Sequence, residues 1–423
     1  MRKQKNNRRT NRRSRQRKRK KSRVLPVLFV ILAVLLLVES ADKMPQKITQ
    51  LEDIRNKVTL EIEDVKERGA GEIFSKDEDE ELAQINESNS LCYYFTNLDE
   101  EERTLYTKIV NGFNQMDTNI KIRTDQEQLE KLIHMILADH PEIFWTEGSY
   151  QFMNYGPFIV LQPDYNCDAS VKQQRAQEIE NEVVRALEQI QAGTSQYEYV
   201  KNTFKYLIDT VDYVADAPDN QNIYSSLVNK RTVCAGYAKA TQYLLQRMGM
   251  TALYVTGKVV DRGDHAWNIV QCDGEYYQVD TTFGDPNFMD YNAEQMETLP
   301  GEFMHDYYYL CCNDEMMYRD RTVDAELPVP VCSSSTYNYY EMNNAYFESY
   351  SSDVVADLTD SIINGDRYWF CRFSNQEAYR QMFSEIQNGL YARLVVENSG
   401  KAVSSVRTYF SYRDETCVIK LWY

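Results

Sequence analysis

Asp273-Gly274 constrains this chain more than any other feature of it. The pair separates two alternating apolar runs, His265-Ala-Trp-Asn-Ile-Val-Gln-Cys272 and Glu275-Tyr-Tyr-Gln-Val-Asp-Thr-Thr282. Asp-Gly in that setting selects a two-residue turn joining antiparallel strands. The turn also sets the register: Cys272 faces Glu275, and counting back puts Trp267 opposite Asp280 and His265 opposite Thr282. Because strand side chains alternate, His265, Trp267, Asp280 and Thr282 are expected on one face. His265 and Asp280 are then diagonal neighbours, about 7–8 Å apart at Cα and within side-chain reach of a hydrogen bond. A carboxylate so placed fixes the imidazole tautomer and supports its charged form.

Upstream, Val233-Cys-Ala-Gly-Tyr-Ala-Lys-Ala240 begins a helix expected to run to about Met248 and end at Gly249. Cys234, Tyr237/Ala238, Thr241, Leu244/Leu245 and Met248 fall on one stripe at helical spacing. Its first member is a thiol at a helix N-terminus, where unpaired N–H groups and the dipole favour a thiolate. Gly236 keeps the first turn open to a closely approaching chain. A strand over Ala252–Val260 and the polar loop Asp261-Arg-Gly-Asp264 lead into the hairpin. If the stripe packs on the face that carries His265, a nucleophile, a base and an orienting acid meet in the order Cys234, His265, Asp280. Each has a plainer reading, as buried thiol, satisfied core histidine or strand end. The chain has four histidines, so finding one beside an acid by register and opposite a helix-capping cysteine favours a site. His134, His140 and His305 have no matching partners in the sequence and read as structural.

These blocks carry a resemblance. VCAGYAKATQYLLQRMG, HAWNIV and YYQVDTTFGDP, in that order and spacing, resemble the transglutaminase-like superfamily, whose core is a papain-type thiol fold. The resemblance implies Cys234 as nucleophile, His265 as base and Asp280 as third member, with a core over about 196–312. Phe283 departs from the family, which often has Trp there, but keeps an aromatic ring. The wider pattern resembles membrane-anchored members from Gram-positive bacteria, whose N-terminal helical region ends near a stretch like Asp139-His-Pro-Glu-Ile-Phe-Trp145. The Cys234 N–H is expected as one oxyanion donor, with a second sought in Gln221–Tyr224.

The flanks bear on topology. Of the 47 basic residues, 14 fall in the first 23 positions with no acid, leaving 33 bases against 64 acids in the other 400. A body that acidic excludes general nucleic-acid binding. Val24 to Val38 follow without a polar side chain, somewhat short of the about 20 residues that span a bilayer. Basic residues before such a run place the tail in the cytoplasm and the body outside. An anchor over 24–41 is expected, with a cleaved secretion signal as the alternative. Residues 42–88 read as an acidic stalk, 89–195 as an N-terminal α+β region, 196–315 as the catalytic core and 316–423 as a small C-terminal α+β unit. That unit is expected to have helices near 353–363 and 375–387, a strand at 367–373 and a terminal hairpin over roughly 403–411 and 416–423. Upstream, helices open at Asp99, Asp125, residue 169 and, with Ser195 as cap, residue 196, this last running to about 214. A hairpin surrounds Gly156-Pro157.

The nine cysteines, Cys92, Cys167, Cys234, Cys272, Cys311, Cys312, Cys332, Cys371 and Cys417, form no CxxC pair. Neither a zinc site nor a disulfide framework is indicated, and no cofactor is expected. The fold class is therefore α+β, with a helix bearing Cys234 packed on an antiparallel sheet. The leading function is a cell-surface thiol enzyme acting on amide or peptide bonds, a protease or amidase or a transglutaminase, with a protein or a cell-wall peptide as substrate. The rival is a catalytically idle anchored scaffold whose 32 tyrosines, among them Tyr307-Tyr-Tyr309 and Tyr337-Asn-Tyr-Tyr340, form a sugar- or peptide-binding surface.

Overall fold

Acids and hydroxyls set the helix starts of the N-terminal half. Asp99 accepts from the Glu102 N–H and Glu102 returns to the Asp99 N–H, a capping box that opens α1 (Glu100–Gln115). Asp125 caps α2 (Gln126–Asp139) and Asp168 caps α3 (Ala169–Ile190). Ser195 and Glu198 form a second box at α4 (Gln196–Thr210). Helix α4 stops four residues short of expectation, because Asp212–Tyr213 (β4) leaves to pair in parallel with Arg231–Thr232 (β5). The expected hairpin is present as β2 (Tyr150–Asn154) and β3 (Ile159–Pro163). An unforeseen strand β1 (Ile120–Ile122) joins its far edge.

This computed structural model describes residues 89–156, 158–191, 193–285, 301–399, 409–413 and 415–422. The tail 1–23, the run 24–41, the stalk 42–88 and Pro157 lie outside the described residues. Among those described, no helix is long and apolar enough to cross a membrane.

The central layer is α5 (Cys234–Arg247) on an antiparallel sheet of β6 (Ala252–Val259), β7 (Gly263–Cys272), β8 (Glu275–Val279) and β9 (Arg321–Val323), in the order β8-β7-β6-β9. Asp273 and Gly274 both have positive φ, 49° and 91°, as the tight turn requires. Helix α5 is buried on more than a stripe: Ala235, Gly236, Ala240 and Gln242 are inside as well. It lays Ala235 and Ala238 on Ala266, and the Asn268 amide donates to the Ala238 carbonyl at 2.9 Å. These are the even positions of β7, one residue out of phase with the expected face. Three alanines at the contact permit a close approach that His265 and Trp267 would block.

Helix α5 also fastens the N-terminal helices to the sheet. The Gln242 Nε2 donates to the Ala138 and Ala252 carbonyls at 2.7 and 3.1 Å. Asp139, from the Asp139–Trp145 stretch, accepts from the Tyr94 and Phe95 N–H groups and the Tyr106 hydroxyl. That motif is a structural junction. A second core lies under the C-terminal sheet, built of β10 (Tyr346–Phe347), β11 (Tyr368–Phe373), β12 (Tyr409–Arg413) and β13 (Val418–Trp422). It is covered by α6 (Ser352–Asn364), α7 (Gln376–Gln387) and α8 (Leu390–Ser399). β12 is described from Tyr409 onward; 401–408 and Asp414 are outside the described residues.

Much of the tyrosine runs goes into packing: Tyr307, Tyr308, Tyr309 and Tyr340 are buried, Tyr337 and Tyr339 are half-buried, and Tyr307 stacks on Tyr339 at 4.1 Å. All nine cysteines are unpaired; Cys167 and Cys234 are half-buried and the other seven buried.

Candidate active site

Cys234 is the first residue of α5, after Val233 in extended conformation at the cap. At that position its N–H has no acceptor within the helix. Thr232 crosses directly over the first turn: a Cβ on Gly236 would lie 1.8 Å from Thr232 Oγ1. Thr232 Oγ1 in turn donates to the Asn220 carbonyl at 2.8 Å, and the Val233 N–H points to that same carbonyl. The segment 220–224 is thereby fixed beside the start of α5. Within it, Asn222 caps Ile223–Leu227, and its buried Nδ2 has no hydrogen-bond partner among the described residues. Tyr254 packs, like Cys234, on the cluster of Ala235, Ala238 and Ala266, and Tyr213 lies near enough that the sulfur, after burial, helps to raise its hydroxyl pKa.

His265 is buried between two rings. It stacks on Trp267 (centroids 6.0 Å, 16° between planes) and meets the Phe283 ring edge-on at 4.9 Å. The Trp267 Nε1 donates to Gln278 Oε1 at 2.7 Å, and the Gln278 amide donates to Asp314 and Tyr318, both at 2.8 Å, so the stacking partner is braced. His265 Nε2 lies 2.8 Å from Asp280 Oδ2, and Cys234 is near enough to act on the imidazole. Burial on its own lowers the imidazole pKa. The charge and hydrogen bond of Asp280, followed by those of Cys234, outweigh it and push it up to about 9.

Asp280 has a job for each oxygen. Oδ1 accepts the Phe283 N–H at 3.1 Å and caps the turn Thr281–Gly284. Oδ2 accepts from His265 and from the Arg321 guanidinium. Burial raises its pKa, and the two cations reverse that and hold it at about 2. An ionised carboxylate can only accept, so His265 Nε2 is the donor and Nδ1 is the nitrogen left for the thiol.

The hairpin register runs as expected from Cys272↔Glu275 to Asn268↔Val279 and then stops. The pairs Trp267–Asp280 and His265–Thr282 do not form, because Asp280 begins a helical turn instead of continuing the strand. The turn takes Thr282 out of the strand face and brings Phe283 against His265. His265 and Asp280 still meet, through side chains.

Arg321 is the residue that sequence reasoning missed. Its side chain is buried, with Nε bonded to Asp320 Oδ1 at 2.9 Å and the terminal nitrogen on Asp280. Phe283, Tyr309 and Trp267 surround it, with ring centroids 4.6, 5.4 and 5.5 Å from the guanidinium carbon. It lies 41 residues beyond Asp280, in a three-residue strand with no motif to mark it. The other histidines do have acids, His134 with Glu326, His140 with Glu142 and His305 with Asp209. Among the described residues no group of three His, Cys, Asp or Glu side chains is arranged to hold a metal.

Residues 184–281 match the family model of the transglutaminase-like superfamily. That segment is a transglutaminase-like domain. It includes Cys234, His265 and Asp280 and ends one residue after the last, so Arg321 lies outside it. No curated protein matches the chain. Among solved structures it is similar to a TGase (15% identity, 36% of this chain and 50% of that one, TM-score 0.25). It is also similar to a candidate cysteine protease from Cytophaga hutchinsonii (12%, 33% and 63%, 0.23). A third is menin, described with its binding site for the Mixed Lineage Leukemia protein (14%, 70% and 62%, 0.25). The chain covers less than two thirds of each, and TM-scores this low leave the argument to the residues of the site.

Proposed function

We propose that this protein is a thiol acyl-transfer enzyme acting on amide or peptide bonds, with Cys234 as nucleophile, His265 as acid–base and Asp280 as the orienting carboxylate. One observation carries the reading: a single buried imidazole bonds Asp280 through Nε2 and lies close enough to Cys234 for the thiol to help support its charge. The Cys234 thiolate attacks the carbonyl, and charge develops on the oxygen next to the Cys234 N–H, where a preorganised donor is most effective. His265, protonated at neutral pH, gives its Nδ1 proton to the leaving amine as the tetrahedral adduct collapses. Water or a second amine, deprotonated by His265, then resolves the thioester. Asp280 keeps the imidazole in one tautomer and stabilises its cation throughout.

Thiol reactivity tests this. Cys234 should alkylate with iodoacetamide well below pH 8, faster than the other eight thiols, and His265→Ala should slow it. Slow labelling of Cys234 at the rate of the buried cysteines in folded protein would sink the reading. A labelled amine offered with substrate separates the two outcomes, incorporation marking transfer and release alone marking hydrolysis. We further propose that the body works at the outer face of a membrane, a placement supported by the charge split and the apolar run in the sequence. Fractionation tests it: a mature chain starting near Ala41 in the medium would refute the anchor.

A further inference from the structure

A cavity of about 240 Å³ lies between α2, α5, β6 and the chain after β9. Tyr254 links it to the thiol: it lines the cavity, packs on the same alanine cluster as Cys234, and is near enough for the sulfur, after burial, to help raise its hydroxyl pKa. The lining is mixed, with Leu137, Val255 and Leu327 among its apolar members. Lys239, five residues after Cys234 on α5, brings an ammonium into it, with Nζ 5.5 Å from the Tyr254 ring centroid. Among the described residues no carboxylate lies within 4 Å of that nitrogen. Burial lowers its pKa to about 8, and Glu147 attracts it from farther away without offsetting this. A half-buried charge without a close partner is costly to keep. It is well placed where a ligand supplies the counter-charge.

We propose that this cavity is a substrate subsite that takes the acidic side chain of a peptide, with Lys239 as its anchor. The proposal rests on the reading of Cys234 as nucleophile and adds the chemical class of the substrate. Three other acids line the mouth, Glu147, Asp324 and Glu326. All three are exposed, so water screens them, and Glu326 is already bonded to His134 at 3.2 Å. Their field disfavours a polyanion, while a single carboxylate on a short aliphatic arm passes the rim, buries its methylenes on the apolar wall and meets Lys239 within. The volume suits one side chain and not a folded domain.

Affinity labels of one length and three charges test this on the full chain. Iodoacetyl-γ-aminobutyrate, its primary amide and the ammonium-ended iodoacetyl-diaminobutane each alkylate by the same step. The thiolate displaces iodide from the CH₂I carbon, so a C–S bond forms, the C–I bond breaks and iodide leaves with the electron pair. Peptide mapping reads the rate at Cys234. The carboxylate label should react about tenfold faster than the amide, the scale of one charge-assisted hydrogen bond, and the ammonium label slowest. Lys239→Gln should erase the carboxylate advantage without changing the amide rate, and Lys239→Arg should keep it. Equal rates for the three labels, a fastest ammonium label, or an advantage that survives Lys239→Gln would each overturn the subsite. If no label singles out Cys234, the nucleophile reading fails on its own. The subsite is then decided in Cys234→Ala protein by saturation-transfer NMR, where N-acetyl-γ-aminobutyrate should bind and its amide should not.

Discussion

Replacing Arg321 by Met would test how the charge on Asp280 is divided. The guanidinium and the imidazole both bond Asp280 Oδ2, so the two cations are within about 5 Å of each other. At an effective dielectric of about 20, two unit charges at that distance repel by roughly 3 kcal/mol, about two pKa units. Asp280 lies between them and offsets part of this, so removing Arg321 should raise the His265 pKa by roughly one unit from its value of about 9. The Asp280 carboxyl should rise in the same variant, from about 2 toward the ordinary carboxylate range. Met fits the ring pocket of Phe283, Tyr309 and Trp267, and Asp280 keeps its bonds to His265 and Phe283. The stability cost should therefore be near or below the 3–5 kcal/mol typical of a broken buried pair. Histidine ¹³Cε1 chemical shifts, titrated by NMR in wild type, Arg321→Met and Arg321→Lys, read the midpoint directly. His265→Asn protein assigns the signal. Arg321→Lys keeps the charge and should stay near wild type, and the alkaline limb of Cys234 alkylation should follow the imidazole. An unchanged or lowered His265 midpoint in folded Arg321→Met protein would refute the view that Arg321 competes for Asp280.

Asp280→Asn should slow Cys234 alkylation by roughly 30-fold at pH 7, since a neutral amide does not support the imidazolium and the thiol returns toward its ordinary pKa of about 8.5; a loss below threefold would count against the assigned role. Gly236→Ala should cost roughly 1–3 kcal/mol in urea denaturation, because the new methyl meets Thr232 Oγ1, which its bond to Asn220 holds in place. The folded-state pKa of His265, about 9, exceeds the unfolded value of about 6.5. Its pairing therefore stabilises fully below pH 6.5, and that contribution is lost as pH rises through 9. The urea midpoint should fall between pH 7 and 10 by more in wild type than in His265→Gln. Asp139→Ala should destabilise by roughly 2–4 kcal/mol, as it strands the Tyr94 and Phe95 N–H groups and the Tyr106 hydroxyl, without changing the Cys234 reactivity of the protein that remains folded.

The meeting of His265 with Asp280 was legible because a two-residue turn transmits register over several residues: Asp273-Gly274 determined the pairing as far as Val279. What happens at Asp280 was not. An acidic residue that ends a strand and one that caps a helical turn look alike, and the choice falls to tertiary contacts, here the Asp280 N–H on the Tyr309 carbonyl and Phe283 against the imidazole. The face of β7 under α5 was misjudged for a similar reason. Periodicity gives the buried stripe of a helix, but the phase against a strand is decided by size, and Ala235, Ala238 and Ala266 permit the approach. Arg321 left no trace because its role depends on a sheet order, β8-β7-β6-β9, that brings a distant three-residue strand to the edge of the layer.

That sheet order has a consequence for how the site is kept charged. Asp280 in isolation would resist ionisation, since burial raises its pKa, and a neutral Asp280 would neither orient His265 nor stabilise its cation. In the proposed mechanism His265 cannot secure the charge alone, because it gives up its own proton during turnover, and at that moment Asp280 would lose its main counter-ion. Arg321 does not deprotonate, so it supplies a cation that persists through the cycle. The transglutaminase-like segment thus contributes Cys234, His265 and Asp280, while the cation that keeps Asp280 ionised comes from β9, beyond the matched segment. The remaining oxygen of Asp280 fixes the position of this arrangement through the Phe283 N–H. Losing the β9 contact should accordingly leave a folded domain in which all three residues are present and Asp280 takes up a proton each time His265 releases one.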